Sequence, residues 1–202
     1  YNDTWRIPNW VAWQLTGERV NGKVKRSDEF VVDPDLPDHV RSEHRDYSGS
    51  RYDRGHMAPA GDMKWSKKAM EESFYMSNIC PQDHNLNTED WNDLEMKSRE
   101  WARRYGKVFI VCGPIYTGKR NEYIGEHRVK VPDAFFKVIL IDDARKSYAL
   151  GFLFENKAGE RPLKKYLVSV DEIERITGMD FFSVLPDNLE DRLEAETLRK
   201  LP

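Results

Sequence analysis

Between Asn87 and Gly106 the chain carries its strongest structural constraint. Trp91, Leu94, Ser98, Trp101, Ala102 and Tyr105 recur at helical spacing and line one face, so the segment reads as an amphipathic helix. Asn87 reads as its N-cap, with Glu89 and Asp90 in the first turn and Arg103 and Arg104 in the last. Those charges complement the helix dipole, and Gly106 stops the run. Directly after it, Val108-Phe109-Ile110-Val111-Cys112 is a continuous apolar run ended by Gly113-Pro114, as expected of a central strand.

Further elements fall on either side. Trp10 to Thr16 reads as a strand stopped by Gly17, with Trp5, Trp10 and Trp13 expected to pack in the core rather than stack on bases. Residues 21 to 50 read as a long irregular segment, and such segments in compact domains tend to be functional. Ser66 to Glu72 reads as a short helix, and Phe74 to Ile79 as a strand broken by Pro81. His127 to Val131, Phe135 to Ile141 and Tyr148 to Phe154 supply three strands, the last two joined as a hairpin by Asp142 to Ser147. Ser169 and Glu172 form a capping-box pattern before a short helix that Gly178 ends, and the charged tail from Leu189 to Leu201 is helix-prone. There are no repeats, no low-complexity tract and no linker, so residues 1–202 read as one α+β domain.

Composition narrows the partners. Charged residues make up 33% of the 202, the net charge is −3, and no stretch approaches the apolar length of a membrane span. A protein that coats nucleic acid passively is normally basic, because phosphate neutralisation dominates its affinity. This chain would meet nucleic acid through a few local arginines and a bound cation, which suits turnover better than tight holding. Arg26, Arg41, Arg45 and Arg51 cluster before residue 52. Cys80 and Cys112 lack zinc-ligand spacing and each ends an apolar run, so two buried thiols are expected, with a disulfide between them as the alternative.

Two clusters carry chemistry. Asp53-Arg54-Gly55-His56-Met57-Ala58-Pro59-Ala60-Gly61-Asp62-Met63 joins a base, a fixed positive charge and little steric bulk, as chemistry on phosphate requires. Cys80-Pro81-Gln82-Asp83-His84-Asn85-Leu86-Asn87 leads into the long helix, with Glu95 two turns along it. Asn87 serves as a cap or as an oxygen ligand for Mg²⁺, an ion that keeps several waters and often makes only one or two direct protein contacts. Glu95 is a solvated helical charge or a carboxylate that hydrogen-bonds the metal's waters.

With both clusters in view, the chain resembles the DNA/RNA non-specific endonucleases. Asp53 to Met63 matches their DRGH motif. Ser77-Asn78-Ile79-Cys80-Pro81-Gln82, Leu86-Asn87, Trp91 and Leu94-Glu95 match the second motif, in order and with the Asn-to-Glu spacing kept. The resemblance implies a mixed, largely antiparallel sheet with helices on both faces and a ββα-metal (His-Me finger) site. It implies His56 as general base, Asn87 as the direct ligand of Mg²⁺ (with Mn²⁺ able to substitute), and Glu95 as the carboxylate behind it. Arg54, and Arg26 before Asp33-Pro34, would contact phosphate. The implied activity is metal-dependent, sequence-non-specific cleavage of DNA, RNA or both, leaving 5′-phosphate and 3′-hydroxyl ends. The alternatives are a nucleic-acid-binding module of the same fold with weak catalysis, and a zinc hydrolase. The five histidines show no paired ligand spacing, which disfavours zinc. Oligomeric state stays open, a homodimer included. Secretion or a bacterial periplasmic location is expected from the hazard of such an activity to its own genome.

Overall fold

The computed structural model describes residues 1–143, 146–159, 162–198 and 200–202. In chain order, β1 (Val11–Thr16) leads into the single turn α1 (Gly17–Val20), and β2 (Tyr52–His56) precedes α2 (Lys67–Glu72). Next come β3 (Ile79–Asp83), the short α3 (His84–Thr88) and the long α4 (Asp90–Tyr105). β4 (Lys107–Ile115), β5 (Tyr123–Ile124), β6 (Val129–Lys130), β7 (Ala134–Ile141), β8 (Tyr148–Glu155) and β9 (Leu167–Val168) follow. The chain then forms α5 (Val170–Thr177) and α6 (Asp187–Ala195).

Five strands make one sheet in the order β1-β4-β7-β8-β9, and every ladder in it is antiparallel. The expected mixed pairing therefore reduces to an isolated parallel bridge, Val31 with Tyr75. β7 shows why helices cover both faces: all eight of its residues are buried. Phe135, Ile139 and Ile141 face one apolar cluster with Trp91, Leu94 and Trp101 of α4, while Phe136, Val138 and Leu140 face another with Ile173 of α5 and Leu193 of α6. A strand buried on both sides reads as an unbroken apolar run, with the period of two hidden in which cluster each residue joins.

The α4 stripe behaves as its spacing predicts. Trp91, Leu94, Ser98, Trp101 and Ala102 are buried. Burying side chains such as Leu94 is worth about 1.5–3 kcal/mol each, which outweighs the few tenths per residue that helix propensity supplies. Gly106 ends α4 at φ 89°, a conformation that costs other residues a steric penalty. Ser66 caps α2, Ser169 Oγ accepts from the Glu172 amide to cap α5, and Gly178 ends α5 in the left-handed region. Cys80 and Cys112 are buried free thiols.

Several expected boundaries shift. Asn87 is not the N-cap of the long helix. It lies inside α3, whose cap is Asp83, and α4 begins only after a break at Glu89. Phe74 to Asn78 is a turn and a 3₁₀ segment, and the strand is Ile79–Asp83 with Pro81 inside it. Pro81 is tolerated because β2 and β3 form a separate two-stranded ribbon, so each strand has an edge that needs no donor. β4 likewise runs through Gly113-Pro114, where β1 has already ended and only β7 is paired. The strand expected at 127–131 is only the two-residue β6, paired with β5. Trp5 and Trp13 pack against the core, whereas Trp10 is 53% exposed. β7 and β8 pair as the expected hairpin, although residues 144 and 145 of its turn lie outside the described residues. The terminal helix starts earlier than expected and stops at Ala195, and residue 199 of the tail lies outside the described residues.

The cap on α5 gives a direct test. Ser169→Ala is expected to lower the unfolding free energy by about 1 kcal/mol, and Ser169→Asp to keep most of it, in urea denaturation. Equal stability of all three proteins would remove the cap from the account.

Candidate active site

The β2–β3 ribbon, followed by α3 and α4, closes one side of a cleft of about 570 Å³. Its lining includes all five residues singled out in the sequence: Arg26, Arg54, His56, Asn87 and Glu95. Asp53 and Arg99 join them there. Strand pairing sets the positions, since His56 is the last residue of β2, opposite Ile79 of β3. Gly55 permits this ribbon: a Cβ there would stand 2.3 Å from Gln82 Oε1, a distance no side chain can accept.

His56 is 9% exposed and held by aromatic neighbours, with ring centroids 4.8 Å from Phe74 and 5.4 Å from Phe30. Its backbone carbonyl accepts from Trp91 Nε1 at 3.3 Å. The ring bonds to the Arg54 backbone, while Nε2 is buried with no partner among the described residues. Burial first, and then the Arg26 charge, push the His56 pKa down to about 4. The imidazole is therefore neutral at ordinary pH, with one nitrogen unengaged. The ordinary value for a histidine is 6.5.

Asn87 is oriented by a contact the sequence reading missed. Its amide nitrogen donates to Asp53 Oδ2 at 2.9 Å, which leaves the carbonyl oxygen for another partner. The same Asp53 oxygen lies 2.9 Å from His84 Nδ1, so one carboxylate gathers the start of α3 onto β2. Asp53 opens the DRGH motif, and its place in that motif was the available signal. His84 itself is exposed and engaged in this contact.

Arg54 makes no ion pair with a carboxylate among the described residues. Its guanidinium donates to the His44 carbonyl at 3.1 Å and lies 5.6 Å and 5.7 Å from the Phe30 and Tyr47 rings. The charge is thus positioned without being neutralised. Arg26 reaches the cleft from the irregular segment, over the Phe74 ring at 5.0 Å, and pairs with the exposed Asp28.

Glu95 is mostly buried, and burial raises its pKa to about 7, against the pull of the Lys137, Arg99 and Arg26 charges. Arg99, one turn further along α4, is 4.0 Å from Glu95 and donates to the buried Asp62 at 2.8 Å. Trp13 Nε1 donates to the other Asp62 oxygen at 3.0 Å. Beneath them Lys137 of β7 is 1% exposed, its ammonium 3.8 Å over the Trp91 ring. The i, i+4 spacing of Glu95 and Arg99 was visible in the sequence, whereas Lys137 was hidden inside an apolar strand.

These donors fit a hard divalent cation. Asn87 lines the cleft with its amide nitrogen engaged and its carbonyl left for another partner, and the buried Glu95 carboxylate is only partly compensated by neighbouring cations. Such a set suits an ion that takes oxygen ligands and keeps water.

The ribbon-and-helix site on an antiparallel sheet is the ββα arrangement that the resemblance implies. The family pattern described as DNA/RNA non-specific endonuclease matches residues 1–188. The chain belongs to this family of metal-dependent nucleases. It is 39% identical over 201 residues to the human mitochondrial nuclease EXOG, covering 90% of this chain and 54% of that protein. Human mitochondrial endonuclease G is 36% identical over 194 residues, covering 90% of this chain and 65% of that one. Nuclease C1 of Cunninghamella echinulata is 34% identical over 216 residues, with 100% of this chain and 82% of the relative covered. The chain thus spans between about half and two thirds of the length of the mitochondrial relatives EXOG and endonuclease G. A crystal structure described as the EndoG/EndoGI complex superposes with a TM-score of 0.85 at 34% identity, covering 92% of this chain and 82% of that one. These relatives are eukaryotic and several are described as mitochondrial, so the expected bacterial periplasmic location finds no support.

The pH behaviour of His56 follows with its sign. The unfolded chain takes up a proton near pH 6.5, whereas the folded ring resists until about 4. Stability contributed by this site is complete above 6.5 and is lost as pH falls towards 4, by on the order of 3 kcal/mol. An NMR titration of the metal-free protein is expected to place His56 near 4, and Arg26→Ala to raise it. A ring titrating at the ordinary histidine value would contradict the burial seen here.

Proposed function

We propose that this chain is a magnesium-dependent, sequence-non-specific endonuclease that hydrolyses phosphodiester bonds in DNA, RNA or both. One observation carries the reading most. A neutral, buried His56 with an unengaged Nε2 shares its cleft with the unneutralised Arg54 and the oriented carbonyl of Asn87. The proposal takes residues 1–202 as one nuclease domain.

In this reading His56 is the general base. Nε2 accepts a proton from water as the water oxygen bonds to phosphorus in line with the 3′ oxygen. The P–O3′ bond breaks, the departing 3′ oxygen takes a proton from solvent water, and the products carry a 5′-phosphate and a 3′-hydroxyl. Arg54, and Arg26 at the rim, bind the phosphoryl oxygens with charge that matters most as the transition state forms. Asn87 would hold the ion through its carbonyl, and the Glu95 carboxylate would hydrogen-bond the ion's waters. When bound, magnesium supplies positive charge that stabilises the phosphoryl oxygens and the departing 3′ oxygen. Contacts of this kind carry no base information, which matches cleavage without sequence preference.

The test is cleavage of supercoiled plasmid and total RNA with Mg²⁺ and with EDTA. The wild-type protein is expected to cut only with the metal. His56→Ala should lose about 10²- to 10⁴-fold in rate while its circular dichroism stays native. Near-full cleavage by that variant would end the base assignment. Inactivity of folded wild-type protein across several divalent ions would favour the binding-module reading.

Asp53 acts through Asn87, so its loss should appear in metal dependence. Asp53→Ala is expected to raise the Mg²⁺ concentration for half-maximal cleavage by about 10- to 100-fold. An unchanged metal dependence with a lower maximal rate would mean that Asp53 does something other than orient Asn87.

A further inference from the structure

On the face of the sheet opposite α4, three carboxylates converge where α5 meets α6. Asp171 and Glu174 lie one turn apart on α5, and Glu194 lies in the last turn of α6. One oxygen from each falls within 4.8 Å of the others. Glu194 is 5% exposed, and its Oε1 is buried with no hydrogen-bond partner among the described residues. Glu190, one turn earlier on α6, also has a buried carboxylate oxygen without a partner. No described lysine or arginine forms an ion pair with any of the three, and Arg175 is turned to Glu172 instead.

An unpaired carboxylate held out of water among others of the same sign is costly unless it is protonated or meets a cation. Burial and the Glu174, Glu190, Asp171 and Asp180 charges push the Glu194 pKa up to about 8. Glu174 spends one oxygen on the Phe181 amide, at 2.7 Å, and keeps the other. The donors are all carboxylate oxygens, and Asp171 is the exposed member of the three.

We infer that Asp171, Glu174 and Glu194 form a second divalent-cation site, suited to Ca²⁺, that clamps α6 onto α5. Calcium suits it better than magnesium because it accepts six to eight oxygens in flexible geometry, whereas magnesium demands a near-ideal octahedron. Its role is structural. The apolar contacts of α5 and α6 cover the outer face of β7 and β8, and the ion removes the carboxylate repulsion that otherwise loosens that cover.

The test uses the full chain carrying Asn87→Ala, which removes the direct ligand in the nuclease cleft. Calorimetric titration with Ca²⁺ is expected to show one ion bound with Kd on the order of 10⁻⁴–10⁻³ M, and Ca²⁺ to raise the melting temperature. Adding Asp171→Asn or Glu194→Gln should weaken binding by about tenfold or more and abolish the melting shift. Asp171 is on the surface, so its variant keeps the test valid if Glu194→Gln disturbs packing. In the chain with Asn87 intact, Asp171→Asn should leave Mg²⁺-dependent plasmid cleavage unchanged. Absence of binding at millimolar Ca²⁺, or binding and melting shifts equal with and without Asp171→Asn, would overturn the proposal.

Discussion

Trp91 is the contact through which the site and the core become one structure. Its ring is fully buried in the first turn of α4, packed against Phe135 and Phe154 of the sheet. Its indole nitrogen donates to the His56 carbonyl, and the Lys137 ammonium rests on its face. Helix, ribbon and sheet therefore meet at one side chain. The apolar burial that stabilises α4 also fixes where His56 ends its strand and where a buried positive charge lies beneath Glu95.

Around that anchor the cleft sets two ionisable groups apart by environment. His56 sits among aromatic rings and near a guanidinium, which favours the neutral base. Glu95 is equally withdrawn from water, yet Lys137, Arg99 and Arg26 favour its charged form, so a bound cation would tip it to carboxylate. Asp53 and Asp62 do quieter work. One turns the Asn87 amide, and the other is held by Trp13 while it anchors Arg99 beside the cleft. In the proposed mechanism, a scaffold of this kind lets catalysis rely on positions already set before substrate arrives.

Much of this was legible in the chain itself, for physical reasons that differ by element. The α4 stripe and the β7–β8 hairpin followed from periodicity and continuous apolar runs, because burial dominates their energetics. His56, Arg54, Asn87, Glu95 and Arg26 were named by motif and share one cleft. What escaped depends on partners distant in sequence. Pro81 sits in a strand because its ribbon has a free edge, and Asn87 is held by Asp53 rather than capping α4. Lys137 reads as an interruption in an apolar strand until α4 is laid across it. The depressed pKa of His56 comes from Phe30, Phe74 and Arg26, none of which adjoins it in sequence.

The central claim is that water, activated by His56, attacks phosphorus and expels the 3′ oxygen. Cleavage of a defined oligonucleotide in ¹⁸O-enriched water, with the ends analysed by mass spectrometry, tests it most directly. The account predicts a single ¹⁸O atom in each new 5′-phosphate and an unlabelled 3′-hydroxyl. Label in a 3′-phosphate, or a cyclic phosphate formed without label, would contradict it.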